Sequence, residues 1–389
     1  MGHSLSHAVI VNVADLGRSP RAQFHAASLA RNGWRVTILA APGSALFSEV
    51  GENPNIEVVS VPGFGVVGEG GLLRKSWAWG RGLARALAAL EWNPEWVWVM
   101  SPPAVPVFQV VRRWVRGRTG VRVLVDWHNL GYTRLANRLG DHHSWVRCYR
   151  FLELGKWSAD THHLTVSDAL RGQLMTLGVG PEVAVLTDCN PSWRSFPVRD
   201  RTSFLARWGA RFPHLDAASI WIVHPHSWSS DESPEWTLDL LDRIGIDVNV
   251  QFMITGDGPR REAFARQLQE NGIPERAVTL AFLPPEGYVD LLANADWGLC
   301  PHTSSSGLDL PMKLADMRGA GLPALVYRYG PVLDEIFAEP DDGVFFRSID
   351  ELEARVRSIA SGDLLPPTPG RGSHWEEQWD KIVLPRLIA

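Results

Sequence analysis

Twelve short runs rich in β-branched and aliphatic residues alternate with amphipathic stretches along this chain, and that alternation constrains the fold more than any other feature. The runs are 7–13 (HAVIVNV), 35–40 (RVTILA), 56–61, 95–100, 121–127 (VRVLVDW), 163–167, 183–187, 219–224 (SIWIVH), 248–255, 277–282, 297–300 and 324–327. Helical patterns such as 23–32, 83–90 and 145–157 lie between them. Strands that are apolar on both faces and separated by helices bury themselves only as a parallel sheet covered on each side. The rhythm pauses once, in the polar, proline-containing stretch 188–200 (DCNPSWRSFPVRD). A chain of 389 residues interrupted there reads as two Rossmann-like, doubly wound α/β domains, expected at 1–195 and 196–370, with a closing segment at 371–389. Such sheets bind ligands at the carboxyl ends of their strands, and two facing sheets are expected to make a cleft.

Composition narrows the function classes. Hydrophobic residues are 45% and charged residues 21%, so the chain is globular. The net charge of −5 and a pI near 6.2 give no global basic field for nucleic acid. Three cysteines, Cys148, Cys189 and Cys300, lie far apart, which fits a reducing compartment and excludes a cysteine-built zinc site. The longest apolar stretch, 97–111, is broken by Pro102, Pro103 and Pro106 and is too short to span a bilayer. No basic n-region or cleavage site precedes the first strand. The expectation is a cytoplasmic protein, peripheral on the cytoplasmic face of a membrane if a surface segment holds it there.

In the N-terminal half, the first strand runs into Asp15-Leu16-Gly17-Arg18-Ser19-Pro20 and then a helix. A glycine there lets backbone amides approach a ligand, the helix start favours anions, and Arg18 and Arg21 add positive charge. An ordinary strand–helix turn is the plain alternative. The spacing is not GxGxxG, so a nicotinamide dinucleotide is not expected. Asp126 and His128 close the strand at 121–127; either can take a proton, or the two can be a hydrogen-bonded structural pair. The adjacent pairs His142/His143 and His162/His163 resemble metal ligands, but neighbouring residues on a strand face opposite ways, so structural roles are expected.

The densest polar segment is 300–316 (CPHTSSSGLDLPMKLAD), between a strand and a helix opened by Pro311. His302, the hydroxyls of Ser304, Ser305 and Ser306, flexible Gly307, the Leu308 backbone and free helix amides suit an oxyanion or phosphate, with Lys313 adding a point charge. Asp316, two turns into the helix, can accept two ribose hydroxyls. A second glycine loop, 254–261 (ITGDGPRR), brings Gly256 and Arg261 to the same end of the sheet, as diphosphate binding requires.

These segments together resemble the chitobiosyldiphosphodolichol β-mannosyltransferase family. The resemblance is carried by 15–26 (DLGRSPRAQFHA), 126–132 (DWHNLGY), 227–233 (SWSSDES), 254–262 (ITGDGPRRE) and 302–323 (HTSSSGLDLPMKLADMRGAGLP), in family order from about residue 8 to the C-terminus. It implies the GT-B fold, with GDP-mannose held by the C-terminal domain and a closing helix, 373–379 (SHWEEQW), crossing back to the N-domain. It further implies inverting transfer of mannose, to a β-1,4 linkage, onto a sugar on a polyprenyl diphosphate or other glycolipid. The chain is expected to be a member without the N-terminal membrane anchor of eukaryotic relatives. It also departs from the family in lacking the lysine of the linker turn, which here reads Asp188-Cys189-Asn190-Pro191, and in placing Leu308, with Asp309 beside it, where the wider GT-B pattern has a glutamate.

An inverting transferase needs a base for the acceptor hydroxyl and positive groups for the leaving diphosphate. Asp126 or His128 is the expected base, with Asp309 as rival. Gly256, Arg261, His302, Ser304–Gly307, Leu308, Lys313 and Asp316 are the expected donor site, and Gly17, Arg18 and Arg21 the acceptor side. No cofactor and no metal ligand set is expected, although Mg²⁺ accompanying the diphosphate is compatible with that reading. Among 18 tryptophans, Trp77, Trp79 and Trp92 sit in the basic segment 71–92, either an interfacial helix for a membrane surface or a core-packing one. Two other readings stay open: a GT-B enzyme with another nucleotide sugar or acceptor, epimerase- or hydrolase-like, and a catalytically silent subunit of a glycosylation complex.

Overall fold

The structure, a computed structural model, describes residues 6–64, 72–158, 160–228, 234–244, 249–258, 260–367, 369–370 and 372–388, with the side chains of 72–75 also outside that description. Residues 229–233 of the SWSSDES motif and the basic pair Arg74 and Lys75 of segment 71–92 therefore lie outside it. The chain divides into two compact units, Met1–Asp188 with Trp375–Ala389, and Cys189–His374.

The first unit holds a seven-stranded parallel sheet: β1 (His7–Asp15), β2 (Arg35–Ala41), β3 (Ile56–Ser60), β4 (Trp96–Ser101), β5 (Arg122–Trp127), β6 (Thr161–Thr165) and β7 (Ala184–Val185). Their order is β3-β2-β1-β4-β5-β6-β7. The central strands are buried throughout because both faces carry helices, as their unbroken apolar runs require. The strand order reverses between β1 and β4, so the carboxyl ends of β1, β4 and β5 form the switch point where doubly wound sheets bind ligands. The helix Trp375–Ile382 packs on this unit: Trp375 Nε1 donates to Ser28 Oγ (3.0 Å) and Arg31 pairs with Asp380 (2.5 Å).

The second unit holds six parallel strands: β8 (Ile220–Pro225), β9 (Val250–Thr255), β10 (Val278–Ala281), β11 (Trp297–Cys300), β12 (Ala324–Tyr327) and β13 (Gly343–Phe346), in the order β10-β9-β8-β11-β12-β13. The switch point lies between β8 and β11. The run GVFF that forms β13 is only four residues long and is missed in the sequence; its pairing with β12 supplies what its length does not. Ile222, Phe252, Trp297, Leu325 and Phe346 share this unit's core.

The unit boundary falls seven residues before the expected one, after Asp188 rather than at 195. The reason is local bonding. Asn190 Nδ2 donates to Ala315 O (2.6 Å), and Arg194 Nη1 donates to Asn190 Oδ1 (2.6 Å), tying 190–194 to the second unit.

Candidate active site

At the switch point of the first unit a charged cluster is wholly enclosed. The Arg21 guanidinium is 1% exposed and the Asp126 carboxylate 0%. Arg21 Nε donates to Asp126 Oδ2 (2.7 Å) and Nη2 to Asp126 Oδ1 (3.0 Å), a bidentate pair, while Nη1 donates to Asp188 Oδ1 (2.7 Å) and Leu186 O (2.8 Å). The Trp375 ring lies over the guanidinium at 5.2 Å. Burial alone would raise the Asp126 carboxyl, but Arg21 and then His128 outweigh it and hold the group well below the usual range.

Two imidazoles share the same carboxylate. His25 Nε2 lies 2.9 Å from Asp126 Oδ2 and His128 Nε2 lies 3.3 Å from it. His25 is fully buried, and burial pushes its pKa down to about 4. The side chain of His128 is 32% exposed and follows directly on β5, its backbone N–H donating to Ser101 O of β4 (2.8 Å). With Nε2–H directed at Asp126, His128 Nδ1 is the nitrogen that can accept a proton.

This arrangement corrects two expectations. Asp126 is not a base that meets substrate, because every approach to it is filled by Arg21, His25 and His128. Arg21 does not contact an acceptor, because its guanidinium is consumed by Asp126, Asp188 and Leu186. Asp126 instead orients the imidazoles of His25 and His128, and Arg21 fixes that carboxylate. Of the remaining acceptor-side candidates, Arg18 is half-exposed, with Nε 3.7 Å from Asp15 Oδ2. Gly17 is a packing position: a Cβ there would lie 2.7 Å from the carbonyl oxygens of Ser44 and Ala45. Asp15 fixes this turn by accepting from Gly17 N (2.9 Å) and Ser44 Oγ (2.7 Å).

Behind His128, the helix Gly131–Leu139 opens on Glu153, whose Oε1 and Oε2 accept from the amides of Gly131 (2.7 Å) and Tyr132 (2.9 Å). Burial raises this carboxyl to about 7 despite those donors. The tryptophan-rich helix Leu72–Ala88 has a split character, with Leu83 and Leu87 buried and Trp77 64% exposed beneath the Arg81 guanidinium (5.0 Å).

In the second unit the loop after β11 is knitted by its own side chains. Ser304 Oγ donates to Asp309 Oδ1 and accepts from Gly307 N (2.8 Å), and Ser306 Oγ accepts from Leu308 N (3.1 Å). Gly307 has φ of +72°, a region that disfavours a side chain. Tyr329 OH donates to Asp309 O, and burial raises that phenol. His302 Nε2 lies 3.5 Å from Asp309 Oδ2, and among the described residues neither ring nitrogen makes a hydrogen bond. The helix Met312–Ala320 then begins without a side-chain cap, and Lys313 Nζ donates to Pro225 O (2.9 Å) at the end of β8. Lys313 thus ties the helix that follows β11 to the end of β8. Ser305 lies in the same loop.

Three donor-side candidates sit differently from expectation. Asp316 is engaged on both oxygens, by Arg194 Nη1 and by Tyr288 OH (3.2 Å), and burial with the Asp316 charge drives the Tyr288 phenol well up. Gly256, at φ +96°, is where the loop after β9 meets the His226 carbonyl, 1.8 Å from a Cβ placed there, so its role is close backbone approach. Arg261 does not reach the switch point. Its Nη2 donates to Leu280 O (3.2 Å) of edge strand β10, where it lines a cavity of about 330 Å³ with Arg211 and His214. Sequence reasoning assigned no role to His25 and Trp379, although they lie in the quoted segments 15–26 and 373–379, nor to Arg194 in the polar stretch 188–200, nor to Tyr288 and Tyr329, which lie in none of the segments singled out. No group of three or more His, Cys, Asp or Glu side chains among the described residues is placed to hold a metal. No helix among them is long and apolar enough to cross a membrane.

Comparison with known proteins accords with two glycosyltransferase units. Residues 17–190 match the model of a glycosyl transferase 4-like domain and residues 234–364 that of a glycosyl transferase-like family. The chain is 31% identical over 316 residues to the chitobiosyldiphosphodolichol beta-mannosyltransferase of Arthroderma benhamiae, covering 74% of this chain and 70% of the relative. The chain belongs to that family. The Homo sapiens member is 28% identical across 100% of this chain and 94% of its own length. Among solved structures, sucrose-phosphate synthase from Thermosynechococcus elongatus superposes with a TM-score of 0.69 at 12% identity, covering 98% of this chain and 96% of that one, which shows the shared GT-B fold. This family member is accordingly a glycosyltransferase built from two Rossmann-like units.

Proposed function

We propose that the chain transfers mannose from GDP-mannose to a sugar carried on a polyprenyl diphosphate, inverting the anomeric centre to a β-1,4 linkage. The observation that carries this reading is the buried Arg21–Asp126 pair holding a partly exposed His128 at the switch point of the first unit. In the reaction His128 Nδ1 accepts the proton of the acceptor hydroxyl as its oxygen bonds to mannose C1. The bond from C1 to the diphosphate oxygen breaks through an oxocarbenium-like state, and the electron pair leaves with GDP. Asp126 stabilises the imidazolium that results. In the second unit the uncapped amides after Pro311, Lys313 and the Ser304–Gly307 loop are suited to the charge that grows on the diphosphate, each such donor being worth roughly 10²–10³ in rate. His302 and Asp309, partly exposed and close together in that loop, suit the hydroxyls of the transferred sugar. In this scheme Lys313 and the helix amides take the place of a metal.

Membrane contact belongs to the same reading. Exposed Trp77 beside Arg81 is the pairing found in interfacial helices, and it supports a peripheral position on the cytoplasmic face through segment 71–92. The test is transfer from GDP-mannose, UDP-glucose and ADP-glucose to chitobiose on a short-chain prenyl diphosphate, run on the wild type and on His128→Ala. The reading expects transfer with GDP-mannose alone and its loss in the variant. Transfer from a different nucleotide sugar overturns the donor; hydrolysis without acceptor, or GDP binding without turnover, overturns the transferase.

A further inference from the structure

We propose that the helical hairpin following His128, rather than the tryptophan helix alone, is a docking face for an anionic lipid bilayer. The hairpin consists of the helices Gly131–Leu139 and Ser144–Glu153. The second helix buries Val146 and Glu153 and presents Arg147, Cys148 and Phe151 outward. Phe151 is 78% exposed, an unusual place for a phenyl ring with neighbours available to cover it. It lines an open groove of about 570 Å³ together with Arg147, Arg150, Leu154 and Lys156. Trp145 and Leu139, 47% and 43% exposed, extend the apolar surface toward the turn of the hairpin.

Charge selects the occupant. Between 131 and 157 the cations are Arg134, Arg138, Arg147, Arg150 and Lys156; the carboxylates are Asp141 at the turn and Glu153, which is buried against backbone amides. The chain as a whole carries −5, so this basic face stands against the general field. Aromatic side chains ringed by arginine and lysine partition into the headgroup region while the cations meet lipid phosphates. Phe151 bordered by Arg147, Arg150 and Lys156 in one groove matches that headgroup pattern. The hairpin starts three residues after His128, and Glu153 caps its first helix, so a bilayer held here lies beside the proposed base. That benefit rests on the lipid-linked acceptor proposed above; the binding itself does not.

The test uses the full chain with vesicles of phosphatidylglycerol mixed with phosphatidylcholine, and with pure phosphatidylcholine. Expected is co-sedimentation with the mixed vesicles, weak with the neutral ones and reversed by salt. The double variant Arg147→Gln/Arg150→Gln is expected to bind roughly 30-fold more weakly, at the usual contribution of a surface cation. Phe151→Ala is expected to weaken binding several-fold while melting as the wild type does. An environment-sensitive dye on exposed Cys148 should shift to the blue on the mixed vesicles. Equal binding to both vesicle types, or binding lost with Trp77→Ala but unchanged in the Phe151 and arginine variants, overturns the proposal. Turnover with a water-soluble short-chain acceptor separates the two readings: these variants should keep it, and a wild type that lacks it sinks the proposed reaction while the vesicle result stands.

Discussion

His25 Nδ1 accepts from the indole N–H of Trp379 at 3.1 Å, and this one contact fixes the tautomer of a buried histidine. With Nδ1 occupied as an acceptor, Nε2 carries the hydrogen and donates to Asp126 at 2.9 Å. The closing helix Trp375–Ile382 thereby sets a proton position inside the buried charged cluster of the first unit.

Acid lability follows from that neutral histidine. Its pKa falls from an ordinary 6.5 to about 4, so the folded state resists a proton that the unfolded chain accepts. The stabilisation is present above pH 6.5 and is lost as pH falls toward 4, amounting to about 3 kcal/mol over that window. Urea midpoints at pH 7, 5.5 and 4.5 should drop for the wild type and drop less for His25→Gln. Identical slopes in the two proteins would mean that His25 is not held neutral. Trp379→Phe should cost about 1–3 kcal/mol near neutrality by leaving Nδ1 buried without a donor.

His128 and Asp126 should separate chemistry from stability. The His128 side chain is a third exposed, so His128→Ala should retain the fold while the rate falls roughly 10²–10⁴-fold. Asp126→Asn leaves Arg21 without its bidentate partner in a dry site and should destabilise the first unit by about 3–5 kcal/mol as well as slowing transfer. Combining them should slow the reaction little beyond His128→Ala alone, since Asp126 acts on the rate through that imidazole. Melting curves and single-turnover rates on the three variants decide it; independent, multiplying rate effects would give Asp126 a role of its own.

The parts of this molecule legible in the sequence are those written in local periodicity. The strand runs at 7–13 and 121–127 appear within two residues of their observed ends because parallel strands buried on both faces are apolar throughout. The loop 302–313 announced itself by its density of hydroxyls, a glycine and an uncapped helix start. What stayed hidden was pairing. Nothing at Asp126 tells that Arg21, 105 residues earlier, fills its carboxylate, and nothing at Asp316 tells that Arg194 reaches it from the linker. A buried charge and an exposed catalytic charge look alike in one dimension; only the tertiary contacts assign which is which. Arg261 shows the converse: its neighbours in sequence suggest a phosphate loop, while its side chain lies along edge strand β10.

Two glycines with similar dihedral angles should respond differently to alanine. At Gly307 a Cβ meets nothing within 4 Å, so Gly307→Ala faces only the left-handed backbone, roughly 1 kcal/mol. At Gly256 the same change also drives a methyl into the His226 carbonyl, and the loops after β8 and β9 must part. Gly256→Ala should therefore lower the melting temperature of the second unit clearly, and Gly307→Ala should act mainly on donor KM. Equal melting shifts would show that the two loops adjust more freely than their contacts imply.

Lys313 and Asp316 stand one turn apart on the same helix and should fail in different ways. Lys313 at the switch point faces the strand ends, so Lys313→Ala should weaken GDP about 10–100-fold, as loss of a charged hydrogen bond does, and weaken GMP much less. Asp316 can hold a ribose only by sharing an oxygen now bonded to Arg194 or Tyr288. Calorimetric titration of GDP into Asp316→Asn and Arg194→Ala resolves the choice. If the carboxylate binds ribose, Asp316→Asn weakens GDP while Arg194→Ala leaves the affinity equal or tighter. If the pair serves only to fasten the linker to the helix, both variants melt earlier and bind GDP as the wild type does. The ribose role expects the first pattern, and the second would remove Asp316 from the donor site.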